Sequence, residues 1–160
     1  MERLHVTASV ALLALVVVLP ALSEKVVLAP FSANTVGTVD VATRKFSADV
    51  ATGSLNTSSK FSGAAAVGTK VVFAGASANV VGVFDVSTNT FDATVATGSL
   101  TEVAKFSGAA AAGTKVVFAP YFANVVGVFD VSANTFDATV ATGTLTGGWK
   151  FSGAAAVGTK

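Results

Sequence analysis

The stretch KFSGAAAVGTK occupies Lys60–Lys70 and returns unchanged at Lys150–Lys160, and KFSGAAAAGTK fills Lys105–Lys115. Its glycines and lysine are one exchange away from the G-x-x-x-x-G-K-[ST] pattern of a phosphate-binding loop. Such a loop leads from a strand into a helix whose N-terminus faces the phosphates. Here the lysine follows the threonine, and the next residues predict another strand. The sequence therefore predicts a hairpin turn at each copy and no nucleotide site.

The stretch closes a repeat of 45 residues that occurs three times without a gap, at 25–69, 70–114 and 115–159. In the third unit, four segments are typical of short strands: KVVFA, NVVGVFDV, TFDATVAT and KFSGAAAV. No part of the unit has a helical period. Four strands in about 45 residues are the spacing of a propeller blade. We therefore predict an all-β protein, a β-propeller-like array of four-stranded antiparallel blades.

Two segments add a family resemblance. VFDVSTNTF at Val83–Phe91 and VFDVSANTF at Val128–Phe136 resemble the kelch repeat, in which an aromatic-Asp pair, a four-residue turn and an aromatic residue follow one another. KVVFAG at Lys70–Gly75 lies where a kelch blade has a hydrophobic strand ending in two glycines. The resemblance covers Lys25–Lys160. It implies that KFSGAAAVG is the innermost strand of a blade and that KVVFAP is the second.

Three units are fewer than the four to eight blades of a propeller, so the sequence allows three interpretations of how a ring would close. One interpretation is that the chain is a fragment of a longer product. Another is that two chains join head to tail as a homodimer with a six-bladed ring. The third is an open or strained array of three blades, which would leave strand edges free.

Residues 1–23 are predicted to be a secretory signal peptide, with the repeats in residues 24–160. Arg3 gives a basic start, Ala8–Leu19 is an apolar core, and Ala21-Leu22-Ser23 offers small residues at the cleavage site. A membrane anchor that is not cleaved is the alternative, but Pro20 cuts the run short of the ~20 residues that a spanning helix needs. We expect a secreted protein without membrane attachment after cleavage.

Composition narrows the function classes. Hydrophobic residues make up 52% of the chain and charged residues 12%, which excludes a disordered charged tail. A net charge of +1 provides no electrostatic argument for nucleic-acid binding. The absence of cysteine excludes disulfides. General acid–base catalysis usually recruits histidine or a carboxylate pair, and the only histidine, His5, lies in the predicted signal peptide. We predict that the chain is not an enzyme and that it has no cofactor and no metal site.

The differences between the second and third units cluster in two loops, which lie at 30–32, 75–77 and 120–122 and at 56–59, 101–104 and 146–149 in the three units. The third unit places Tyr121, Phe122 and Trp149 there. Loops of a rigid scaffold carry binding residues, and aromatic side chains are favoured contacts. These three residues are predicted to form a binding loop for a protein or glycan partner, with local packing of a terminal blade as the alternative. Asn56 is a glycosylation acceptor.

Repeated charges have structural interpretations. We predict that Lys60, Lys105 and Lys150 are solvated charges at strand ends. The aspartates before the turn, which are Asp40, Asp85 and Asp130, are predicted to accept hydrogen bonds from turn amides.

Together these observations predict a secreted, non-enzymatic binding or scaffold protein whose inter-strand loops are the contact surface. The alternative is a structural protein of a cell surface or matrix, and a fragment of a propeller enzyme is the third interpretation.

Overall fold

The computed structural model describes residues 24–158, so the predicted signal peptide at 1–23 lies outside them. Within that range no helix is long and apolar enough to cross a membrane. The described residues form eleven strands: β1 Lys25–Leu28, β2 Thr35–Asp40, β3 Lys45–Ala51, β4 Phe61–Val67, β5 Lys70–Gly75, β6 Gly82–Asp85, β7 Thr90–Asp92, β8 Phe106–Ala112, β9 Lys115–Pro120, β10 Val125–Asp130 and β11 Thr135–Ala141. The prediction of an all-β chain is confirmed.

The strands form three antiparallel sheets. Sheet I has the order β1-β2-β3, sheet II the order β4-β5-β6-β7 and sheet III the order β8-β9-β10-β11. The sheets are offset from the sequence repeat, because β4 belongs to the first unit and pairs with β5 of the second. This is the strand order that was predicted. Sheet I has three strands, since within the described residues no FSGAAA strand comes before β1, which is a strand of the KVVFAP type.

The repeated glycine makes the predicted hairpin. Val67 pairs with Lys70 across a two-residue turn, and Gly68 has a φ of 58°. Glycine tolerates this left-handed conformation without steric cost, and it takes the first position of a type II′ hairpin turn. Because β5 follows the turn directly, the phosphate-loop interpretation is excluded by the structure as well.

The fourth strand of sheet II, β7, is shorter than expected. TFDATVAT was predicted to be one strand, and β11 follows it through Ala141. In sheets I and III the ladder to the last strand has a register shift, between Val36 and Thr38 of β2 and between Val126 and Val128 of β10. In sheet II the ladder stops after Asp92, and an isolated bridge between Val80 and Ala96 resumes the pairing.

Two apolar cores hold consecutive sheets together. One joins sheets I and II around Val36 and Phe61, and the other joins sheets II and III around Val72 and Phe106. The first strands of sheets II and III also pack backbone to backbone. A Cβ on Gly63 would lie 2.7 Å from the carbonyl carbon of Gly108. The small residues of β4 and β8 therefore fit the tight packing expected of them.

Candidate functional site, a cleft where the variable loops meet

Two of the three repeated lysines are buried, which makes the prediction of solvated charges wrong for them. Lys60 and Lys105 are both 0% exposed. The Nζ of Lys105 donates hydrogen bonds to Oδ1 of Asn79 at 3.0 Å and to the carbonyl oxygen of Glu102 at 3.1 Å. An ammonium group that leaves water needs such partners, since an unpaired buried charge is very costly. The sequence prediction failed because these acceptors come from the neighbouring sheet and from the loop before the lysine.

The same contact recurs at the other two units. The Nζ of Lys60 donates to Oδ1 of Asn34 at 3.0 Å, and the Nζ of Lys150 donates to Oδ1 of Asn124 at 3.2 Å. Lys150 keeps some exposure. We call these three pairs the lysine latches. Burial lowers the pKa of Lys105, and the nearby charge of Glu102 opposes that effect.

Main-chain hydrogen bonds around the latches bring the two sets of variable loops together. The amide of Ala76 donates to the carbonyl of Lys60 at 2.8 Å, and the amide of Lys105 donates to the carbonyl of Ala76 at 3.0 Å. The amide of Tyr121 then donates to the carbonyl of Lys105 at 2.8 Å. The loops that vary between units therefore lie next to one another at one end of the three sheets.

These loops enclose a cleft of about 400 Å³. Phe31, Val103 and Tyr121 supply apolar and aromatic surface to it. Four serines also line it: Ser59, Ser62, Ser77 and Ser107. Phe31 and Val103 are largely exposed. The cleft has the volume of a small-ligand site, and pockets of that kind combine apolar walls with a few polar groups.

The structure separates the three predicted contact residues. Tyr121 lines the cleft. Phe122 packs edge-on against Tyr121, with ring centroids 5.4 Å apart, and a Cβ on Gly148 would lie 2.5 Å from its ring. Trp149 is 75% exposed and lies outside the cleft lining, on a residue with a φ of 59°. A backbone in this region is costly for an aromatic residue.

Sequence reasoning missed Phe31 and Val103 as site residues. A signal for Phe31 was present, because Phe31, Ala76 and Tyr121 occupy the same position in the three units. The exchange of phenylalanine, alanine and tyrosine at that position indicates that no single side chain is needed there to hold the blade together. Nothing in the sequence showed that Phe31 and Tyr121 would face one cleft.

The remaining predicted residues lie outside the cleft. Asn56 is exposed, in the irregular segment between β3 and β4, so the acceptor is accessible.

The aspartates cap turns, as predicted. Amide donors reach Oδ1 of Asp40 from Thr43 at 2.8 Å, Oδ1 of Asp85 from Ser87 at 2.9 Å, and Oδ1 of Asp130 from Ser132 at 2.9 Å. Hydrogen bonds from Ser87 lower the pKa of Asp85. The ion pair with Lys115 is the first cause of the lowered pKa of Asp130, followed by hydrogen bonds from Ser132.

The side chains of the cleft are suited to contact with a ligand. Its lining consists of aromatic rings, methyl groups and hydroxyls, and it holds no carboxylate, amine or imidazole side chain. Over residues 24–158 there is also no cluster of three or more His, Cys, Asp or Glu residues that could hold a metal ion. The arrangement can stack on a flat or apolar group and offer it hydrogen bonds.

No protein-family model matches this chain, and no curated protein sequence matches it. Among solved structures the chain is similar to hydrazine synthase of Kuenenia stuttgartiensis, with a TM-score of 0.57 and 19% identity over 76% of this chain and 33% of that one. The chain therefore spans about a third of the hydrazine synthase chain. At this identity the likeness concerns the fold alone.

Two further solved structures are less similar. The computationally designed Ika8 protein matches with a TM-score of 0.47 and 14% identity, over 66% of this chain and 30% of the designed one. The extracellular domain of a one-component system from B. thetaiotaomicron matches with a TM-score of 0.48 and 14% identity, over 71% of this chain and 17% of that one.

Proposed function

We propose that this chain is a secreted, non-enzymatic binding or scaffold protein that contacts its partner through the cleft between Phe31 and Tyr121. The observation that carries the proposal is the convergence of the variable loops. Between the second and third units, six of the nine differences fall in the variable loops, and these loops meet with those of the first unit at one cleft with exposed apolar walls. A scaffold that is repeated and a contact surface that varies are what a binding protein requires.

The scaffold itself is proposed to be a propeller-like array of kelch-like blades. Three features support this arrangement: the strand order within sheets II and III, the packing of β4 against β8 at Gly63 and Gly108, and a core between each pair of consecutive sheets. In a propeller, the innermost strands of neighbouring blades surround a common axis.

The lining defines the group that the cleft would accept. Phe31 and Tyr121 present rings, Ser62 and Ser107 present hydroxyls, and no charged side chain contributes. The ligand is therefore an uncharged group with one flat or apolar surface, carried by a glycan or by an exposed segment of a protein. Aromatic contacts of this kind account for much of the binding energy at interfaces.

Binding to glycan and peptide arrays tests the proposal. Saturable binding is expected on one array, and Tyr121→Ala and Phe31→Ala should each weaken it about tenfold or more, the effect of losing about 1.4 kcal/mol. Val140→Ala is the matched control, since Val140 is exposed on β11 and lies outside the cleft lining. Binding that survives both aromatic substitutions but disappears with Trp149→Ala would place the contact outside the cleft and contradict the proposal.

Secretion is proposed because residues 1–23 have the pattern of a signal peptide. The alternative function of the same scaffold is a structural role in a cell surface or matrix. The exposed apolar side chains of β1, including Val26 and Leu28, favour some form of assembly. Release of the tagged protein into the medium, with an N-terminus at Glu24, would support the soluble binder. Retention in the insoluble surface fraction would support the structural role.

A further inference from the structure

The first strand of sheet I is an unpaired edge. Within residues 24–158, β1 pairs only with β2. The equivalent strands, β5 and β9, pair on both sides, because β4 and β8 supply their second partners. Val26 is 49% exposed on β1, whereas Val71 and Val116 at the same repeat position are buried. Free strand edges of this kind are sites where another strand adds.

Beside this edge lies an open socket, which we define by Leu28, Gly37 and Phe46. In sheet II the equivalent residues are Phe73, Gly82 and Phe91. They hold the ring of Phe61, which lies 5.8 Å from Phe73 and 6.1 Å from Phe91 between centroids. A Cβ on Gly82 would lie 2.9 Å from that ring. Glycine at this position therefore makes room for an incoming phenylalanine.

Sheet I has the socket without the phenylalanine. Leu28, Gly37 and Phe46 line a cavity of about 210 Å³. The ring of Phe46 is 64% exposed. The atoms closest to a Cβ on Gly37 belong to Phe46 and Leu28, which are the socket's own walls. The socket is thus formed before any phenylalanine fills it.

A segment with the matching sequence lies at the other end of the array. Residues 151–157 read FSGAAAV, which is the sequence of β4. This segment lies against β8 as β8 lies against β4: a Cβ on Gly108 would be 2.5 Å from the Cα of Gly153. The latch of Lys150 to Asn124 holds its start. Yet the segment joins no ladder, and Phe151 is 44% exposed where Phe61 is 0%.

We propose that residues 151–157 of one copy of this chain add to the edge of β1 in a second copy and place Phe151 in its socket. The register follows sheets II and III, in which Phe61 lies opposite Gly75 and Ala66 opposite Val71, with the same offsets at Phe106 and Ala111. By this register Phe151 lies opposite Pro30 of the second copy, and Ala156 lies opposite Val26.

A second copy is the occupant because, within residues 24–158 of one chain, neither the outer edge of β1 nor the segment 151–157 joins a further strand ladder. The segment packs against sheet III, whereas β1 belongs to sheet I, whose neighbour is sheet II. The contact joins two different surfaces of the chain, so it is heterologous. Such a contact gives a closed assembly only if the successive rotations from copy to copy add up to a full turn. Exchange in both directions gives a closed dimer of six four-stranded sheets. This inference does not depend on the cleft or its ligand.

The absence of cysteine allows a direct test of the register. Val26→Cys and Ala156→Cys are introduced into separate full-length chains, both at exposed positions, and the two are mixed and oxidised. Opposed residues of antiparallel strands lie about 4.5–5.5 Å apart between Cα atoms, within the range that a disulfide spans. The expected result is a disulfide-linked pair of one chain of each kind, and twice the chain mass by light scattering for the unmodified protein.

The control pairs Val26→Cys with Ala155→Cys. A shift of one residue turns the side chain to the other face of the strand, so cross-linking should fall at least tenfold. Phe151→Asp should convert the dimer to a folded monomer. A monomeric mass without mixed cross-links overturns the proposal. So does an internal cross-link in a monomeric chain that carries both cysteines, which would show that the segment closes on its own β1. Equal cross-linking of the control overturns the register.

Discussion

Lys105 donates a 3.0 Å hydrogen bond from its buried Nζ to Oδ1 of Asn79, which lies 26 residues earlier in the chain. Asn79 belongs to a loop of sheet II, and Lys105 directly precedes the first strand of sheet III. The contact therefore couples the position of one sheet to the next, and its counterparts at Lys60 and Lys150 have the same spacing.

Removing the buried amine should destabilise the protein. Lys105→Met keeps the aliphatic stem but leaves the oxygens of Asn79 and Glu102 without their donor. A buried acceptor without a partner costs about 1–3 kcal/mol, so the free energy of unfolding in urea should fall by about that amount. Lys150→Met is the matched control, because this latch is partly exposed and water can replace the amine. Equal losses for both would show that burial does not determine the cost.

The glycine contact between inner strands should not tolerate a methyl group. A Cβ on Gly63 would lie 2.7 Å from a backbone carbon of Gly108, and backbone cannot move aside as a flexible side chain can. Overpacking costs about 1–3 kcal/mol, and thermal unfolding of Gly63→Ala should report it. Gly147→Ala should be close to neutral, since nothing lies within 4 Å of its Cβ position. A neutral Gly63→Ala would contradict the close approach of the two sheets.

Equivalent phenylalanines in the repeat should differ in their contribution to folding. Phe106 is buried against Phe118, with centroids 5.5 Å apart, so Phe106→Ala should cost about 3–5 kcal/mol. Phe151 is exposed in the single chain, and Phe151→Ala should change unfolding by less than about 0.5 kcal/mol. The measurement belongs at low protein concentration, where assembly does not add to stability. A large loss for Phe151→Ala under those conditions would show that the segment already packs within one chain.

Lowering the pH should weaken the ion pair between Lys115 and Asp130 in sheet III. The pKa of Asp130 lies below its usual value near 3.8, first because of Lys115. A carboxyl with a lowered folded pKa stabilises the fold above its unfolded pKa and loses that contribution as the pH falls through its folded pKa. Lys115→Gln should raise the pKa of Asp130 in an NMR titration. The pKa of Asp85 should stay unchanged, since Ser87 lowers it. A shift of both would indicate a general change of structure.

Asn56 should accept a glycan when the full chain passes through a secretory pathway that glycosylates proteins. The residue is exposed in a loop without regular structure, so the acceptor is accessible. The expected observation is a mass increase that a glycosidase removes and that Asn56→Gln abolishes. Ser54→Ala, in the same loop outside the acceptor triplet, should leave the mass increase intact. Its loss in that control would attribute the effect to the loop as a whole.

Much of the local structure could be predicted from the sequence. The strand pattern, the Gly68 hairpin and the turn-capping role of Asp85 were predicted and are confirmed, because alternation and turn chemistry act over a few residues. The place of Tyr121 in a variable loop was also evident. The cleft was not, because Phe31 and Tyr121 are 90 positions apart in the numbering and belong to different sheets. The burial of Lys105 was missed for the same reason.

The sequence by itself therefore determined an all-β chain of repeated four-strand units and the turn residues at Gly68 and Asp85. The tertiary structure decided which sheets are neighbours, and with that which lysines are buried, which loops meet and which strand edge stays open. The physical reason is range: hydrogen bonds within a turn need only adjacent residues, whereas Asn79 can receive Lys105 only after two sheets have packed side by side. The socket at Gly37 also depends on the tertiary structure. Only its comparison with Gly82 in the folded sheets shows that a phenylalanine fits there.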